Sequence, residues 1–292
     1  MNIKLLTIAV LALVLGALAY SLFSLPNIAE QEFPAGADAI ERGEYLVTAG
    51  GCLSCHRGQR EGIQDSLAGG LAIPTDFGAF FAPNITPDPL TGIGDWTARE
   101  FLLALKHGRS PEGSFYFPAF PYRAYAGLSD EDALAMGAYL MTLEPVSNSV
   151  PDAEVPFWLN RWAMAGWNSL ADWRQPEREE FADSVLARGA YLARHLGHCS
   201  ECHTPRDGLG IPEYGRDYAG ASIGDETIEA IDAEALADWT FANFDIFLLL
   251  GLKPDGEFVG GDMNEVIEYN TSRLTDADRD ALAAYFTRHN QE

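Results

Sequence analysis

Two copies of the pentapeptide Cys-x-x-Cys-His constrain this chain more than any other feature. They run from Cys52 to His56 and from Cys199 to His203, and together they contain all four cysteines of the 292-residue sequence. This spacing is typical of covalent haem c attachment, because the two thiols form thioethers with the haem vinyl groups and the following imidazole binds the iron. We therefore expect two covalently bound haem c groups. Their thioethers would come from Cys52, Cys55, Cys199 and Cys202, and their proximal iron ligands would be His56 and His203.

Other roles of paired cysteines fit this sequence less well. A zinc site would use the four thiols and leave both histidines without a role, and a thioredoxin-like dithiol would need a βαβ pattern that the chain lacks. Asp and Glu number 43 against 19 Lys and Arg, which gives a net charge of -24. Because so acidic a chain repels nucleic acid, we expect no nucleic-acid partner.

The first 26 residues include the longest apolar run of the chain. Between Leu5 and Leu25 the only polar side chains are those of Thr7, Tyr20, Ser21 and Ser24. Because about 20 apolar residues in a helix span a hydrocarbon core of about 30 Å, we expect a transmembrane anchor at 1–26. The alternative is a cleaved signal peptide, since 17–19 (Ala-Leu-Ala) resembles a cleavage site. The charges flanking the run favour a single-pass protein of the bacterial inner membrane, with the haem domains in the periplasm.

The rest of the chain is an internal duplication. Arg-Gly-Glu-Tyr-Leu at 42–46, before the first haem motif, corresponds to Arg-Gly-Ala-Tyr-Leu at 188–192, before the second. Downstream of the motifs, Asp-Trp-Thr at 95–97 matches the same tripeptide at 238–240. Self-similarity on this scale predicts two homologous domains in tandem.

The periodicity within each repeat is helical, and no convincing alternating strand pattern stands out. Thr97 and Glu100 form a capping box ahead of an apolar helix. Gly43 and Gly189 lie where two helices can cross closely, and the expected partners across the two crossings are Tyr139 and Tyr285. We therefore expect an all-α fold.

This arrangement resembles the class I cytochrome c fold, in which the first and last helices cross and a loop between them presents the distal iron ligand. Met263 precedes the last helix, so the resemblance implies that it is the distal ligand of the second haem. The corresponding residue of the first repeat is Phe120, which does not bind iron. His107 aligns with Leu250 and is our candidate distal ligand of the first haem, with an open coordination site as the alternative.

A second resemblance is more specific. The run Phe-Ala-Pro-Asn-Ile-Thr-Pro-Asp-Pro-Leu-Thr-Gly-Ile-Gly-Asp-Trp at 81–96 is similar to the cytochrome c subunits of bacterial membrane-bound alcohol, gluconate and aldehyde dehydrogenases, and so is Pro-Ala-Phe-Pro-Tyr at 118–122. Those subunits commonly have methionine where this chain has Phe120, and they usually carry three haems. The resemblance implies an anchored periplasmic carrier that takes electrons from a dehydrogenase or quinol-oxidising complex.

The expected fold is thus two tandem class I cytochrome c domains behind an N-terminal transmembrane helix. The expected segments are an anchor at 1–26, a linker at 27–37, a first domain at 38–145, a second linker at 146–179 and a second domain at 180–292. We call 38–145 the first copy and 180–292 the second copy. The second linker holds four of the six tryptophans, which would either be clamped between the domains or face the membrane interface or a partner.

Electron transfer between redox proteins is the function that these observations favour. The partners would be a dehydrogenase or quinol-oxidising complex on one side and a terminal oxidase or another cytochrome on the other, and the chain itself would not be an enzyme. Two alternatives stay open at this point. One is a peroxidase-like or ligand-sensing protein with an open first haem, and the other is mainly a structural docking subunit of a respiratory complex.

Overall fold

The computed structural model describes residues 4, 7, 8, 11–13, 16, 20, 22–223 and 226–290. The helices of its first half are α1, Ala37–Ala49; α2, Cys52–His56; α3, Ala98–His107; α4, Tyr122–Tyr125; and α5, Asp130–Leu140. Helix α6, Ala163–Arg174, lies in the second linker. The helices of the second half are α7, Ser184–Tyr191; α8, Ser200–His203; α9, Phe241–Leu250; α10, Asp262–Tyr269; and α11, Asp276–Thr287.

The first and last helices of each copy cross at a glycine, as the sequence predicts. A Cβ atom on Gly43 would lie 1.9 Å from the carbonyl oxygen of Ala135, and one on Gly189 would lie 2.1 Å from that of Ala281. The side chains next nearest to these positions are those of Tyr139 and Tyr285. Only glycine therefore permits α1 to approach α5, and α7 to approach α11, at this distance.

Local signals set the ends of the helix that follows each haem motif. The Thr97 side chain accepts a hydrogen bond from the Glu100 backbone N–H, and the Glu100 carboxylate accepts one from the Thr97 N–H, which confirms the predicted capping box of α3. Thr240 and Asn243 repeat the arrangement at α9. Helix α3 ends at His107 and is capped by Gly108, whose φ of 60° is a left-handed conformation that favours glycine.

The second copy contains a π-helix that the first copy lacks. The matching arginines Arg42 and Arg188 are 146 positions apart, whereas Cys52 and Cys199 are 147 apart, so the second copy has one extra residue in this interval. Helix α7 continues into a π-helix at Leu192–Leu196. A π-helical turn contains one more residue than an α-helical turn, so it absorbs the insertion and the helix still leads to the haem motif.

The expectation of an all-α fold is wrong, because each copy also contains a pair of short antiparallel strands. Strand β1, Ala72–Thr75, pairs with β2, Gly78–Phe81, and strand β3, Ala221–Ile223, pairs with β4, Glu226–Ile228. Strands of three or four residues are too short to give a clear alternating pattern, and Pro74 interrupts the first of them. Periodicity therefore did not reveal them.

The predicted transmembrane helix at the N-terminus is also wrong. Within the part of the chain that the structure describes, no helix has both the length and the apolar character needed to cross a membrane. Much of the expected anchor (1–3, 5, 6, 9, 10, 14, 15, 17–19 and 21) lies outside the described residues. At its described end, Phe23 contacts the rings of Phe115 and Trp162, with centroids 6.1 and 5.5 Å away. Aromatic side chains of the protein itself therefore cover part of this apolar segment.

Buried side chains of both copies form one continuous apolar cluster. It includes Leu46 and Met136 from the first copy and Leu196 and Phe286 from the second. Burial of apolar surface across both copies favours a fixed mutual arrangement. The domain boundaries given above stay predictions.

The second linker packs on both copies through helix α6. Met164 of this helix contacts Phe115 of the first copy in a small apolar cluster, and the indole N–H of Trp167 donates a hydrogen bond to the Leu209 carbonyl of the second at 2.8 Å. Trp158 and Trp173 lie on the surface, with exposed fractions of 56% and 81%. Part of the tryptophan-rich linker is thus clamped between the copies, and part faces solvent.

Candidate functional site

Each Cys-x-x-Cys-His segment folds as a short helix that brings its two thiols and its imidazole to one face. Helix α2 contains the first motif whole, and Cys199 is the N-cap of helix α8 in the second. Residues three and four apart are neighbours on a helix, so the second cysteine and the histidine both lie one turn from the first cysteine. All four thiols are free. They are therefore available for thioether bonds.

The surroundings of the thiols favour uncharged sulfur. Desolvation raises the pKa of the half-buried Cys52 and Cys199 to about 12, and desolvation together with the nearby Glu201 raises that of Cys202 to about 11. A thiolate at these positions would be costly, whereas a thioether carries no charge and pays no such penalty. The electrostatics of the site thus suit covalent attachment through sulfur.

Both motif histidines have one ring nitrogen already committed. The Nδ1 atom of His56 lies 2.8 Å from the Pro83 carbonyl oxygen, and that of His203 lies 2.7 Å from the Glu229 carbonyl oxygen. A carbonyl only accepts, so each Nδ1 carries the proton and each Nε2 keeps its lone pair. Desolvation lowers the pKa of both imidazoles, although these hydrogen bonds oppose it. A neutral imidazole held by a backbone carbonyl is the usual form of a histidine that binds a metal.

The unexpected strand pairs explain where these carbonyls come from. Pro83 lies two residues after β2, and Glu229 directly follows β4. Next to Pro83, the buried Asn84 side chain donates to the Val146 carbonyl at 2.7 Å and accepts from the Thr86 backbone N–H at 2.9 Å. The segment that supplies the carbonyl to His56 is thus fixed by the hydrogen bonds that Asn84 makes with Val146 and with Thr86.

The donor set present in each copy therefore fits a covalently attached haem. Two free thiols would form the thioethers, and one imidazole with a free Nε2 would bind the iron on its proximal side. The same geometry occurs twice, although the loops that surround the motifs differ in sequence.

The structure brings the two motifs together. Besides desolvation and Glu201, the Cys55 thiol of the first motif also raises the pKa of Cys202 in the second. Arg57, directly after the first motif, pairs with both carboxylate oxygens of Glu265 in helix α10 at 3.1 and 2.9 Å. The segment that carries Met263 in the second copy therefore packs against the attachment motif of the first.

A corresponding contact joins the first copy to the residues before the second motif, and it is made between aromatic rings. The ring of Tyr125, on helix α4 of the first copy, lies 5.4 Å from that of His198, which directly precedes the second motif. Tyr125 is buried near Cys52 and Cys55, and burial, reinforced by these two thiols, raises its pKa well above the ordinary value. Each copy thus places the segment before its last helix against the haem motif of the other.

The candidate distal ligands occupy different settings in the two copies. Met263 is half-buried in the first turn of helix α10, rather than in the loop that the sequence predicts. Phe120 lies among the rings of Tyr116, Tyr122 and Tyr125, with centroids 5.9 to 6.3 Å away. Ligation of the second haem by Met263 stays a prediction, and the first copy presents an aromatic cluster at the equivalent place.

His107 lies at the C-terminus of helix α3, and its side chain is exposed. Desolvation lowers its pKa, as does Lys106, while Asp130 opposes the shift. Neither charged neighbour belongs to the Cys52–His56 segment, so these contacts do not connect His107 with the first motif. Its role as a ligand stays a prediction.

Comparison with known proteins gives the family. A model of the cytochrome c family matches residues 40–144. Over 285 residues the chain is 41% identical to a dihaem cytochrome c-type protein of Cereibacter sphaeroides, an alignment that covers 95% of this chain and 96% of the relative. The chain belongs to the cytochrome c family. Covalently bound haem c and electron transfer follow for this cytochrome, and the prediction that it is not itself an enzyme is confirmed.

Other relatives of this cytochrome are cytochrome c subunits of dehydrogenases. It is 36% identical to the gluconate 2-dehydrogenase cytochrome c subunit of Pantoea cypripedii and 34% identical to the cytochrome c subunit of the quinone-dependent alcohol dehydrogenase of Gluconobacter oxydans. The alignments cover 95% and 84% of this chain but 64% and 54% of those subunits. The predicted resemblance to dehydrogenase cytochromes is confirmed, and the chain spans little more than half of the alcohol dehydrogenase subunit.

Sequence reasoning missed two parts of this site. The carbonyls of Pro83 and Glu229 gave no signal, because every residue has a backbone carbonyl and only the folded chain selects which one meets an imidazole. The facing arrangement of the two motifs was also missed. A signal for it did exist in the repeated Arg-Gly-x-Tyr-Leu segments, whose tyrosines reach across to the other copy.

Proposed function

We propose that this cytochrome carries two haem c groups and relays electrons from a substrate-oxidising dehydrogenase to another cytochrome or a terminal oxidase. The observation that carries the proposal is the matched pair of proximal histidines. In each copy the imidazole follows two free thiols and donates Nδ1–H to a backbone carbonyl, at 2.8 Å for His56 and 2.7 Å for His203. A site built twice in this way supports two equivalents of haem.

The bound haem supplies a reversible one-electron change at its iron. The protein residues supply attachment, orientation and tuning. Thioethers from each cysteine pair would fix the haem plane, and the carbonyls of Pro83 and Glu229 would hold the imidazole rings and make Nε2 more basic. No bond of a substrate is broken in this mechanism.

The difference between the distal segments supports a direction for the relay. A thioether ligand from Met263 would stabilise reduced iron and raise the potential of the second haem. The first copy has Phe120 in the corresponding position, and His107 is the proposed ligand there. Since a second imidazole would leave the first haem at a lower potential, electrons would pass from the first haem to the second.

The class of donor is proposed from the relatives. Those named above are cytochrome subunits of gluconate and alcohol dehydrogenases, so we propose an analogous dehydrogenase as the donor for this chain. We also propose that the haem-carrying part works in the bacterial periplasm, because haem c is attached to Cys-x-x-Cys-His motifs outside the cytoplasm.

The test is a haem count followed by a redox titration. A pyridine haemochrome assay and intact-protein mass should give two haems per chain. The double variant Cys199→Ser/Cys202→Ser removes both thioethers of the second site and should reduce the covalently bound count to one. Spectroelectrochemistry should then resolve two separate midpoints. Fewer than two haems in the parent protein would contradict the proposal, and coincident midpoints would remove the direction of the relay.

A ligand-binding or peroxidase-like role is the second candidate, and Phe120 is the observation that favours it. With an aromatic ring where a thioether is expected, the first haem would keep an open distal position. Carbon monoxide binding to the reduced protein and its Raman spectrum distinguish the two functions. If the first haem is six-coordinate and low-spin in both redox states, the open site does not exist, and a His107→Ala variant would show whether that histidine is the sixth ligand.

A further inference from the structure

Two tyrosines reach from the first helix of one copy to the last helix of the other. The Tyr45 hydroxyl, on α1, donates to Oδ2 of Asp278 on α11 at 2.6 Å. The same carboxylate accepts two hydrogen bonds from Arg188 of its own copy, each 2.7 Å long. The Thr275 backbone N–H donates back to the Tyr45 oxygen at 3.3 Å. Asp278 is only 7% exposed, so it is held by partners from both copies inside the protein.

The second tyrosine makes the same contacts in the opposite direction. The Tyr191 hydroxyl, on α7, donates to Oδ2 of Asp132 on α5 at 2.6 Å, and Arg42 donates to Oδ1 of that carboxylate at 2.6 Å. The Ser129 backbone N–H lies 3.3 Å from the Tyr191 oxygen. All equivalent residues of the two sets are 146 positions apart. We call Tyr45 with Asp278 and Tyr191 with Asp132 the crossed tyrosine pairs.

The crossed tyrosine pairs act on the helices that carry the haem motifs. Tyr45 lies in the last half of α1, seven positions before Cys52, and Tyr191 lies at the end of α7, eight positions before Cys199. Each pair therefore connects the helix leading into one attachment site with the last helix of the other copy. A hydrogen bond to a charged group is short and directional, so two such bonds at separate points constrain both the distance and the rotation between the copies.

Both hydroxyls remain donors over a wide pH range. Burial and the bond to Asp278 raise the pKa of Tyr45, and burial and the bond to Asp132 raise that of Tyr191 to about 12. The pairs are also not needed to hold either carboxylate in place, because Arg188 and Arg42 bind the carboxylates from within each copy. Their specific contribution is the connection between the copies.

We infer that Tyr45 and Tyr191 are positioning residues for electron exchange between the two haems. This inference rests on the proposed dihaem function. The rate of outer-sphere electron transfer falls exponentially with the distance between donor and acceptor, and the facing motifs leave that distance to be set by the contacts between the copies. Loss of the crossed hydrogen bonds would let the copies shift or rotate and would lengthen the path.

The test uses the haem-loaded full chain and the variants Tyr45→Phe and Tyr191→Phe, alone and combined. Each substitution removes one hydroxyl and keeps the ring. Tyr139→Phe on helix α5 is the matched control, because its hydroxyl does not belong to the crossed tyrosine pairs. An electron injected by pulse radiolysis is followed as it redistributes between the haems, and EPR of the oxidised protein measures the magnetic coupling of the two irons.

Each single variant should slow the redistribution several-fold, and the double variant should slow it further and weaken the magnetic coupling. The two midpoint potentials should stay at their parent values, since neither tyrosine is a predicted iron ligand. Parent rates and coupling in the double variant would overturn the inference, and so would an equal slowing in Tyr139→Phe. If the double variant does not retain both haems, the two single variants decide by the same criteria. A parent protein with fewer than two haems would instead overturn the proposed function.

Discussion

Replacing Gly43 with alanine tests the closest helix contact of the first copy. The added Cβ would lie 1.9 Å from the Ala135 carbonyl oxygen, 2.6 Å from the carbonyl carbon and 2.8 Å from the Cβ of Tyr139. The first two obstacles are backbone atoms of helix α5, so no side-chain rotation can relieve them. Helices α1 and α5 would have to separate by about 1.5 Å before carbon and oxygen reach an ordinary contact near 3.5 Å.

Two opposing terms set the expected magnitude. Alanine in place of a helical glycine gains about 0.5–1 kcal/mol, because the unfolded chain loses less conformational freedom on folding. Overpacking of a core contact costs about 1–3 kcal/mol, and a rigid backbone obstacle favours the upper end of that range. We therefore expect Gly43→Ala to lower the free energy of unfolding by about 2 kcal/mol.

The assay is equilibrium urea unfolding of the haem-loaded protein, followed by far-UV circular dichroism and by the Soret band. Gly166→Ala in helix α6 is the matched control, because a Cβ added there meets no atom within 4 Å. This control should be more stable than the parent by about 0.5–1 kcal/mol. If Gly43→Ala is as stable as Gly166→Ala, the helices do not cross as closely as the structure describes, and the reasoning fails.

Three further outcomes are expected. Thr240→Ala removes the N-cap of helix α9 and should cost about 1 kcal/mol in thermal unfolding, and an unchanged melting temperature would contradict the capping role. Burial raises the pKa of Asp278, but the hydrogen bonds from Arg188 and Tyr45 outweigh burial, so the net pKa is lowered. The Asp278 carboxylate therefore stabilises the fold fully above the ordinary aspartate pKa, and this stabilisation is lost as the pH falls through the lowered pKa. The parent should therefore be more stable than Asp278→Asn by the largest margin near neutral pH, and this difference in unfolding free energy should shrink in acid. A difference that is constant with pH would contradict the prediction. His203→Ala should leave two haems attached, but the absorption spectrum of the second haem should change because its iron loses the proximal imidazole. An unaltered spectrum would show that His203 is not the ligand.

Sequence patterns predicted those features whose chemistry is contained in a few neighbouring residues. The two Cys-x-x-Cys-His motifs indicated haem attachment because both thiols and the imidazole fall on one helical turn. The Thr97 capping box closed as predicted, since its partners are three residues apart. Gly43 and Gly189 marked the helix crossings because only a residue without a side chain tolerates such an approach. The motifs and the capping box used geometry that a short helix already imposes, whereas the crossing glycines were marked by residue type and by their recurrence in both copies.

The features that the sequence did not predict correctly depend on contacts between distant residues. A ladder of three or four residues leaves no measurable period, so the sequence gives no sign of the strand pairs. Hydropathy predicts a membrane span at the N-terminal apolar run, whereas Phe23 at its end packs on Phe115 and Trp162. Met263 was expected in a loop and lies in helix α10. In these cases hydropathy gave the character of the segment, and contacts with distant residues decided its structure.

The amino-acid sequence alone determined the family of this protein, its repeated construction and the atoms that would hold haem, because those depend on residue identity and local spacing. Only the tertiary structure decided which carbonyls orient the two imidazoles and how a π-helix absorbs the extra residue of the second copy. It also decided that the crossed tyrosine pairs join the first helix of each copy to the last helix of the other. Those contacts join residues as many as 233 positions apart. Their partners are selected by packing across the whole molecule, so the repeated Arg-Gly-x-Tyr-Leu segments mark the two tyrosines but do not show which carboxylates they meet.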